Sequence, residues 1–276
     1  MKKNIKCRII AEIASNHAGN MDLAKEFIRV SAEAGADGVK FQSSRYEDLV
    51  DKDDSLADWI KKTSLSDKDH SLLIDECKKH KVDFLTTCFS KSRINFLKTL
   101  GLKEIKVASP DVLSFSMLEE LARHFDHLII SVGMHTINEI KKCIHFLEKN
   151  HIHATLLHAT SLYPTPLEKA WMHKFLWLKE NYARVGYSNH VNDVDVVKFS
   201  MDHGASIIET HLKLGENGPG RAKPWDLLPC QLKEIVQYRD KLAVMLGKEI
   251  KKNENWLDEE ESQANKRFVG RWGDNR

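Results

Sequence analysis

The segment VGYSNHVNDVDVVKFSMDHGASIIETHLKL, residues 185–214, holds the pattern that decides the fold. Two short apolar runs, residues 184–188 and 206–209, have the composition of buried strands, and each leads into a histidine, His190 and His211. Apolar residues between the runs recur at helical spacing, which predicts a strand, a helix and a second, parallel strand. Because the carboxyl ends of parallel strands collect ligands and catalytic groups, we expect both histidines at one functional edge.

The two histidines are candidate ligands of a divalent metal ion. Imidazole is a common metal ligand, and two of them at neighbouring strand ends lie close enough to share an ion. The alternative is that His190 and His211 are two unrelated strand-end residues among 14 histidines. Two imidazoles do not complete a coordination shell, so this segment alone leaves both interpretations open.

Composition restricts the class of protein. A chain of 276 residues, 42% hydrophobic and 30% charged, can bury one large core or two modest ones, as expected of a soluble globular protein. The net charge is +2 and the basic residues are interspersed with acids, which does not favour nucleic acid as a partner. No run approaches the roughly 18 apolar residues that span a membrane. Five cysteines without a Cys-x-x-Cys motif indicate a reducing, cytoplasmic protein.

The strand and helix pattern repeats along the chain. Strands are predicted at residues 9–13, 38–42, 82–87, 105–109, 128–132, 154–158, 184–188 and 206–209, and helices at 22–34, 66–80, 91–100, 115–125, 136–147, 171–180, 194–203 and 228–246. Eight such units match the size of a closed (β/α)8 TIM barrel, with an open doubly wound sheet as the alternative. We assign the barrel to residues 1–247 and a short polar C-terminal tail to residues 248–276.

Residues 43–62 form a long polar connection after the second predicted strand. Connections of this length are uncommon in compact domains unless they are functional. We therefore interpret this stretch as a candidate functional loop.

Polar residues close every predicted strand. They are Glu12, Lys40 with Gln42, Thr87, Lys106 with Ser109, Ser131, Thr160 with Ser161, Ser188 with His190, and Glu209 with His211. Ammonium and hydroxyl groups converging on one barrel mouth suit a small, multiply charged anion. Glu12 and Glu209 are candidate acids or bases, partners that orient the histidines, or charges that neutralise the lysines. These residues predict a metal-assisted enzyme for a phosphorylated or carboxylated small molecule.

Eight short motifs recur at or next to the predicted strands. In chain order they are Ala11-Glu12-Ile13, Asn16-His17-x-Gly19, Gly35-Ala36-Asp37-Gly38-Val39-Lys40-Phe41-Gln42, Lys106-Val107-Ala108-Ser109, Ser131-Val132-Gly133-Met134, Ser161-x-Tyr163-Pro164-Thr165-Pro166, Gly186-Tyr187-Ser188-Asn189-His190 and Ile208-Glu209-Thr210-His211. Together they resemble the motifs of the sialic acid (N-acetylneuraminate) synthases, and the resemblance covers residues 8–246.

The resemblance implies a barrel that condenses phosphoenolpyruvate with an aldose such as N-acetylmannosamine, giving a nine-carbon 2-keto sugar acid and phosphate. It implies manganese or magnesium bound by His190 and His211, and contacts to the sugar or proton transfer by Glu12, Gln42, Tyr163 and Glu209. The residues that would hold phosphoenolpyruvate are Lys40, Thr87, Lys106, Ser109, Ser131, Ser161 and Ser188.

The sequence departs from the family pattern at several positions. The family's Ser-Asp-His is Ser188-Asn189-His190 here, its Ser-Gly-Glu is Ser109-Pro110-Asp111, and Ser161 replaces an asparagine. The family's Pro-Gly-Pro-Asp-His loop reads Pro219-Gly220-Arg221-Ala222-Lys223, which loses a sugar-binding carboxylate and gains two cations. We expect Arg221, and Asp111 in place of the family glutamate, to contact the acceptor, which is expected to be a different and anionic one.

Family members also carry a C-terminal antifreeze-like domain, and residues 248–276 resemble only the linker that leads to it. A homodimer is expected from the resemblance. Two alternatives to a sialic-acid-type synthase remain: a non-catalytic barrel that binds phosphoenolpyruvate or phosphate, and a synthase whose acceptor is a phosphorylated aldose.

Overall fold

Eight parallel strands form a closed barrel in the computed structural model, which describes residues 7–51, 53–247 and 259–268. The strands are β1 Arg8–Glu12, β2 Gly38–Ser43, β3 Asp83–Cys88, β4 Glu104–Val107, β5 His127–Ser131, β6 Ala154–His158, β7 Val185–Asn189 and β8 Ile207–His211. Each strand pairs with the next, and β8 pairs with β1 from Arg8↔Ile207 to Glu12↔His211. This pairing confirms the predicted (β/α)8 barrel and excludes the open sheet.

Helices alternate with the strands. They are α1 Met21–Ala34, α2 Tyr46–Leu49, α3 Ala57–Thr63, α4 Asp67–His80, α5 Lys91–Leu97, α6 Phe115–Ala122, α7 Ile137–Lys149, α8 Met172–Asn181, α9 Val194–Asp202, α10 Pro229–Leu246 and α11 Glu259–Phe268. Local sequence explains their ends: Asn20 accepts two backbone N–H bonds at the start of α1, and Gly35 ends it with a left-handed φ of 89°. The capping box expected before α7 is formed by Thr136 and Glu139.

Two features differ from the predicted elements. The stretch 43–62 is not a plain loop, since it contains α2 and most of α3, whose few apolar residues were too sparse to give a helical period. Strand β4 ends at Val107, and Ser109 begins a 3-10 helix that runs from Ser109 to Asp111. Proline at position 110 explains the early end of the strand, because it cannot donate a ladder hydrogen bond.

The barrel interior is apolar in its middle and polar at the carboxyl ends of the strands. A separate buried cluster of Ile10, Leu85, Ile129, Leu157 and Ile207 fills the interior. Side chains two positions apart on a strand point to the same face. The polar residues Glu12, Thr87, Ser131 and Glu209 each follow one of these apolar residues by two positions, so the same strands that bury the core aim polar groups into the mouth above it.

Ion pairs lie at the opposite, N-terminal end of the strands. Arg8 at the start of β1 pairs with Asp83 at 2.7 Å and with Glu104, at the starts of β3 and β4. Arg239 of α10 pairs with Asp37 just before β2. In TIM barrels this end serves stability, whereas the opposite end carries function.

The predicted tail, residues 248–276, is described only in α11, and its remaining residues lie outside the described part of the chain. Among the helices of the described ranges, none combines the length and the apolar character needed to cross a membrane.

Candidate active site

A cavity of about 510 Å³ opens at the carboxyl ends of the strands. Of the residues that the sequence placed at the mouth, all but Thr160 and Asp111 line it: Glu12, Lys40, Gln42, Thr87, Lys106, Ser109, Ser131, Ser161, Tyr163, Ser188, His190, Glu209, His211 and Arg221. Residues separated by up to about 200 positions in the sequence are therefore brought together by barrel closure.

Lys40 is a buried cation with several partners. Its Nζ lies 2.6 Å from Glu12 Oε2 and 3.7 Å from Glu209 Oε2, and it donates to Thr87 Oγ1 at 2.7 Å. Burial alone would lower the pKa of Lys40, but the two carboxylates outweigh it and raise the pKa above the ordinary value. Lys40 is thus held protonated by the protein itself.

Lys106 lies in a different electrostatic environment. Its Nζ donates to Ser131 Oγ at 2.6 Å and to the Val107 carbonyl at 2.8 Å, and no carboxylate of the described residues lies within ion-pair distance. Burial lowers the pKa of Lys106 to about 8. A buried ammonium without a counter-charge is stabilised by an anionic ligand, so Lys106 and Ser131 form a ready anion site.

The two buried carboxyl groups have opposite pKa shifts. Burial, followed in the same direction by the charge of Glu209, raises the pKa of Glu12 despite its contact with Lys40. Burial would also raise the pKa of Glu209, but Lys40, Lys106, His190 and a hydrogen bond from Ser188 Oγ at 3.1 Å together hold it below the ordinary value. A carboxyl pair with divergent pKa values can divide the roles of acid and base.

His190 and His211 face each other across the mouth, with ring centroids 5.4 Å apart. His190 Nδ1 bonds the Thr160 carbonyl at 2.8 Å, which leaves Nε2 open. Burial lowers the pKa of His190 to about 4 and that of His211 well below its ordinary value, so both rings are neutral, as ligation requires. Within the described residues no group of three or more His, Cys, Asp and Glu side chains could hold a metal. The pair could supply two imidazole ligands to a divalent ion, whose other ligands would have to be water or substrate oxygens.

Asp226 is a buried carboxylate that sequence analysis did not identify. Its Oδ2 accepts from Asn16 Nδ2 and from the Lys223 backbone N–H, both at 2.8 Å, and its Oδ1 lies 3.9 Å from His211 Nδ1. Burial raises the pKa of Asp226 to about 6. The contact to His211 arises from how the loop after β8 folds back, so no spacing in the sequence signals it.

The departure at Asn189 does not alter the mouth. Asn189 lies outside the cavity, where its Oδ1 accepts from Tyr187 and the Val191 N–H, and its Nδ2 donates to the Val191 carbonyl at 2.9 Å. These bonds fix the turn that carries His190. Asp111 also lies outside the cavity, in the 3-10 helix after β4, where its Oδ1 accepts from Ser114 Oγ at 3.3 Å.

Two indole rings support the cations that follow β8. The Arg221 guanidinium lies 4.7 Å from the centre of the Trp59 ring, and Lys223 Nζ lies 5.3 Å from that of Trp225. Trp225 in turn packs edge-on against Tyr163, at 5.2 Å between ring centroids. Lys223 and Trp225 line the cavity, and Trp59 on α3 is a contribution from the stretch predicted to be a functional loop.

Comparison with known proteins gives consistent matches. The chain is 32% identical over 270 residues to N,N'-diacetyllegionaminic acid synthase of Campylobacter jejuni, a match that covers 91% of this chain and 80% of that protein. It is 27% identical to N-acetylneuraminate-9-phosphate synthase of Mus musculus, covering 84% and 68% of the two chains. Among solved structures, the sialic acid synthetase of Leptospira borgpetersenii in complex with citrate has a TM-score of 0.86 at 27% identity, covering 96% and 93%.

The class of protein follows from the closed barrel, the polar residues at its mouth and the similarity to named synthases. It is a carbon–carbon bond-forming transferase built on a (β/α)8 barrel. The NeuB family model matches residues 27–251, most of the chain. The chain belongs to the NeuB family.

Proposed function

We propose that this protein condenses phosphoenolpyruvate with an aldose to give a sialic-acid-like 2-keto sugar acid and inorganic phosphate. The observation that carries the proposal is the convergence of Lys40, Lys106 and the hydroxyls of Thr87, Ser131 and Ser188 with two neutral histidines at one mouth. The names of the relatives, synthases of legionaminic and neuraminic acids, support a sugar as the second substrate.

In the proposed reaction the enol carbon of phosphoenolpyruvate bonds to the aldehyde carbon of the aldose. Water then adds at the carbon that carries the phosphate, and inorganic phosphate leaves by cleavage of the C–O bond. Lys106 and Ser131 bind the phosphoenolpyruvate anion, assisted by Ser109, Ser161 and the neighbouring hydroxyls. Lys106 and Ser131 are themselves buried, and charge-assisted contacts are stronger at buried positions than in water.

Proton transfer is assigned to the carboxyl pair. Glu209, whose pKa is lowered, accepts a proton from the attacking water, and Glu12, whose raised pKa makes it the more readily protonated of the two, relays a proton to the aldehyde oxygen. Burial raises the pKa of Tyr163 to about 12, so its hydroxyl stays protonated and serves, with Gln42, as a hydrogen-bond donor to the sugar. A manganese or magnesium ion held by His190 and His211 would polarise the aldehyde.

The wider assignments are also proposals. We assign catalysis to the barrel of residues 1–247 and a linker-like role to residues 248–276, and we propose a homodimer. A reducing, cytoplasmic setting is supported by five cysteines that are all free thiols.

Phosphate release from phosphoenolpyruvate, measured with a panel of aldoses and added Mn²⁺, tests the proposed function. We expect release that depends on both the aldose and the metal. His190→Ala and His211→Ala should abolish Mn²⁺ binding in calorimetry and metal-dependent turnover while leaving the far-ultraviolet circular dichroism unchanged. Full turnover of both variants in metal-free buffer, or the lack of any aldose-dependent release by the wild type, would refute the assignment.

A further inference from the structure

Two cations of the mouth form no ion pair with any residue that the structure describes. Arg221 and Lys223 both line the cavity, yet no carboxylate in the described part of the chain lies within ion-pair distance of either side chain. Lys223 is half-buried, and burial lowers its pKa. Arg221 is exposed, and the charges of Asp226 and Glu12 reach Lys223 only from beyond ion-pair distance. The two neighbouring positive charges are therefore incompletely compensated, and a bound anion would complete the compensation.

The protein holds both cations in place. The Arg221 backbone N–H donates to the Asn16 carbonyl at 2.9 Å, and that of Lys223 donates to Asp226 at 2.8 Å. The Trp59 ring lies against the Arg221 guanidinium and the Trp225 ring against the Lys223 ammonium, at cation–π distance. This is a supported pair of cations and not a freely moving surface loop.

Their position separates them from the phosphoenolpyruvate site. Lys106 lies on β4, whereas Arg221 and Lys223 follow β8, which is diametrically opposite β4 in an eight-stranded barrel. His211 lies on the same side as the cations, with Trp225 next to it at 6.5 Å between ring centroids. An acceptor whose aldehyde lies at the histidines can therefore extend along Trp225 toward this cationic pair.

We infer that the acceptor is an aldose with an anionic group, phosphate or carboxylate, at the end remote from its aldehyde, and that Arg221 and Lys223 bind that group. The inference rests on the proposed synthase function and concerns only the acceptor half of the site. A guanidinium fork and an ammonium suit the oxygens of either anion, and loops after the last strands of TIM barrels frequently bind phosphate.

The test compares matched acceptors. Initial rates of phosphate release from phosphoenolpyruvate are measured with a neutral N-acetylhexosamine, its 6-phosphate and its 6-carboxylate, and the preferred anionic acceptor distinguishes the two anions. We expect kcat/KM for one anionic acceptor to exceed that for the neutral sugar at least about tenfold. Arg221→Ala and Lys223→Ala should each raise KM for that acceptor about tenfold, with KM for phosphoenolpyruvate unchanged.

Lys62→Ala is the matched control. Lys62 also lies over the Trp59 ring, at 5.8 Å, but does not line the cavity, so its loss should leave the acceptor KM unchanged. Preference for the neutral sugar, or an equal effect of Arg221→Ala on neutral and anionic acceptors, would overturn the inference.

Direct binding separates failure of this inference from failure of the proposed function. Calorimetry with phosphoenolpyruvate-saturated protein should detect binding of the anionic aldose that Arg221→Ala weakens about tenfold, even if turnover is absent. If phosphoenolpyruvate binds but neither anionic aldose does, the inference fails. If phosphoenolpyruvate itself does not bind, the synthase function fails as well.

Discussion

The two lysines of the mouth, Lys40 and Lys106, differ in their electrostatic partners. Lys40 forms an ion pair with Glu12 and lies near Glu209, whereas Lys106, among the described residues, donates to a hydroxyl and a carbonyl and forms no ion pair. Removing one partner of a buried ion pair leaves an uncompensated charge, whereas removing an unpaired buried charge relieves a cost. The structural role therefore belongs to Lys40 and the ligand-binding role to Lys106.

Replacing each lysine by methionine should separate these roles. Lys106→Met should weaken phosphoenolpyruvate binding by about 2–4 kcal/mol in calorimetry, since a charge-assisted contact is lost, and should not lower the free energy of unfolding. Lys40→Met should lower the free energy of unfolding by about 3–5 kcal/mol in urea titration. Equal stability loss in the two variants would contradict this division.

The low pKa of Lys106 gives phosphoenolpyruvate binding a pH dependence. The ammonium is present below pH 8 and is lost as pH rises through the pKa of about 8, while a phosphate monoester is already doubly ionised above about pH 7. Affinity should therefore fall about tenfold at a pH one unit above that pKa, measured by calorimetry, and Lys106→Met should lack this fall. A fall of the same size in the variant would assign the titration to another group.

Most residues of the mouth could be predicted from the sequence, because a polar side chain that closes an apolar run lies at the end of a strand. The direction in which each side chain points could not be predicted. Asp111 was expected to contact the acceptor, but a proline turn redirects the chain after β4, so its side chain does not line the cavity. Asn189, where the family has aspartate, lies on the face of β7 that points away from the cavity. Asp226 was missed because its contact with His211 depends on tertiary folding of a loop.

At the scale of elements, the loop after β8 is fixed by its close approach to the loop after β1. Gly220 has a φ of +91°, and a Cβ placed there would lie 2.2 Å from the Asn16 carbonyl oxygen. That same oxygen accepts the Arg221 N–H. The absence of a side chain at Gly220 is thus a condition for placing Arg221.

Gly220→Ala should displace the loop. We expect the free energy of unfolding to fall by about 1–3 kcal/mol and the acceptor KM to rise, with phosphoenolpyruvate affinity unchanged. Gly101→Ala is the control, because Gly101 has a similar φ of +68° but open space around its Cβ position. Gly101→Ala should lower the free energy of unfolding only by the strain of an alanine in a left-handed conformation, and it should leave the acceptor KM unchanged. An equal acceptor KM in all three proteins would refute the link between Gly220 and Arg221.

Elements with a clear hydrophobic period were predicted well, and short ones were not. The long helices and buried strands carry enough apolar residues to fix their period and length. Helices α2 and α3 are four and seven residues long, and together they bury only Ala57. They are held by contacts such as Lys61 over the Tyr46 ring, at 5.5 Å, which no local pattern reveals.

At the scale of the whole molecule, function and stability lie at opposite ends of the strands. Arg8 and its partners Asp83 and Glu104 connect three strands at the amino-terminal end, away from the mouth. Eight strand–helix units predicted the closed barrel, because their number and size fit that fold. Which residues of β8 lie beside those of β1 could not be predicted, because the register between them is a long-range pairing that no local pattern encodes.

Arg8→Ala should therefore affect stability alone. We expect a loss of about 1–2 kcal/mol in the free energy of unfolding, because charge-assisted hydrogen bonds are lost from a partly exposed group where water screens them. Both KM values and kcat should stay at wild-type levels in the phosphate-release assay. A change in either KM would show that the two ends of the barrel are coupled.

The pairing of the first strand with the last has a consequence for protein synthesis. Strand β1 is synthesised early, but β8, which pairs with the open edge of β1, is complete only at His211. At ~5–20 residues per second, roughly 10–40 s pass between the two events. Throughout that interval the nascent chain presents an unpaired strand edge, and Lys40 lacks the charge of Glu209. Chaperones that bind exposed strands are expected to associate with nascent chains in which β8 has not yet emerged, and to be released when β8 emerges.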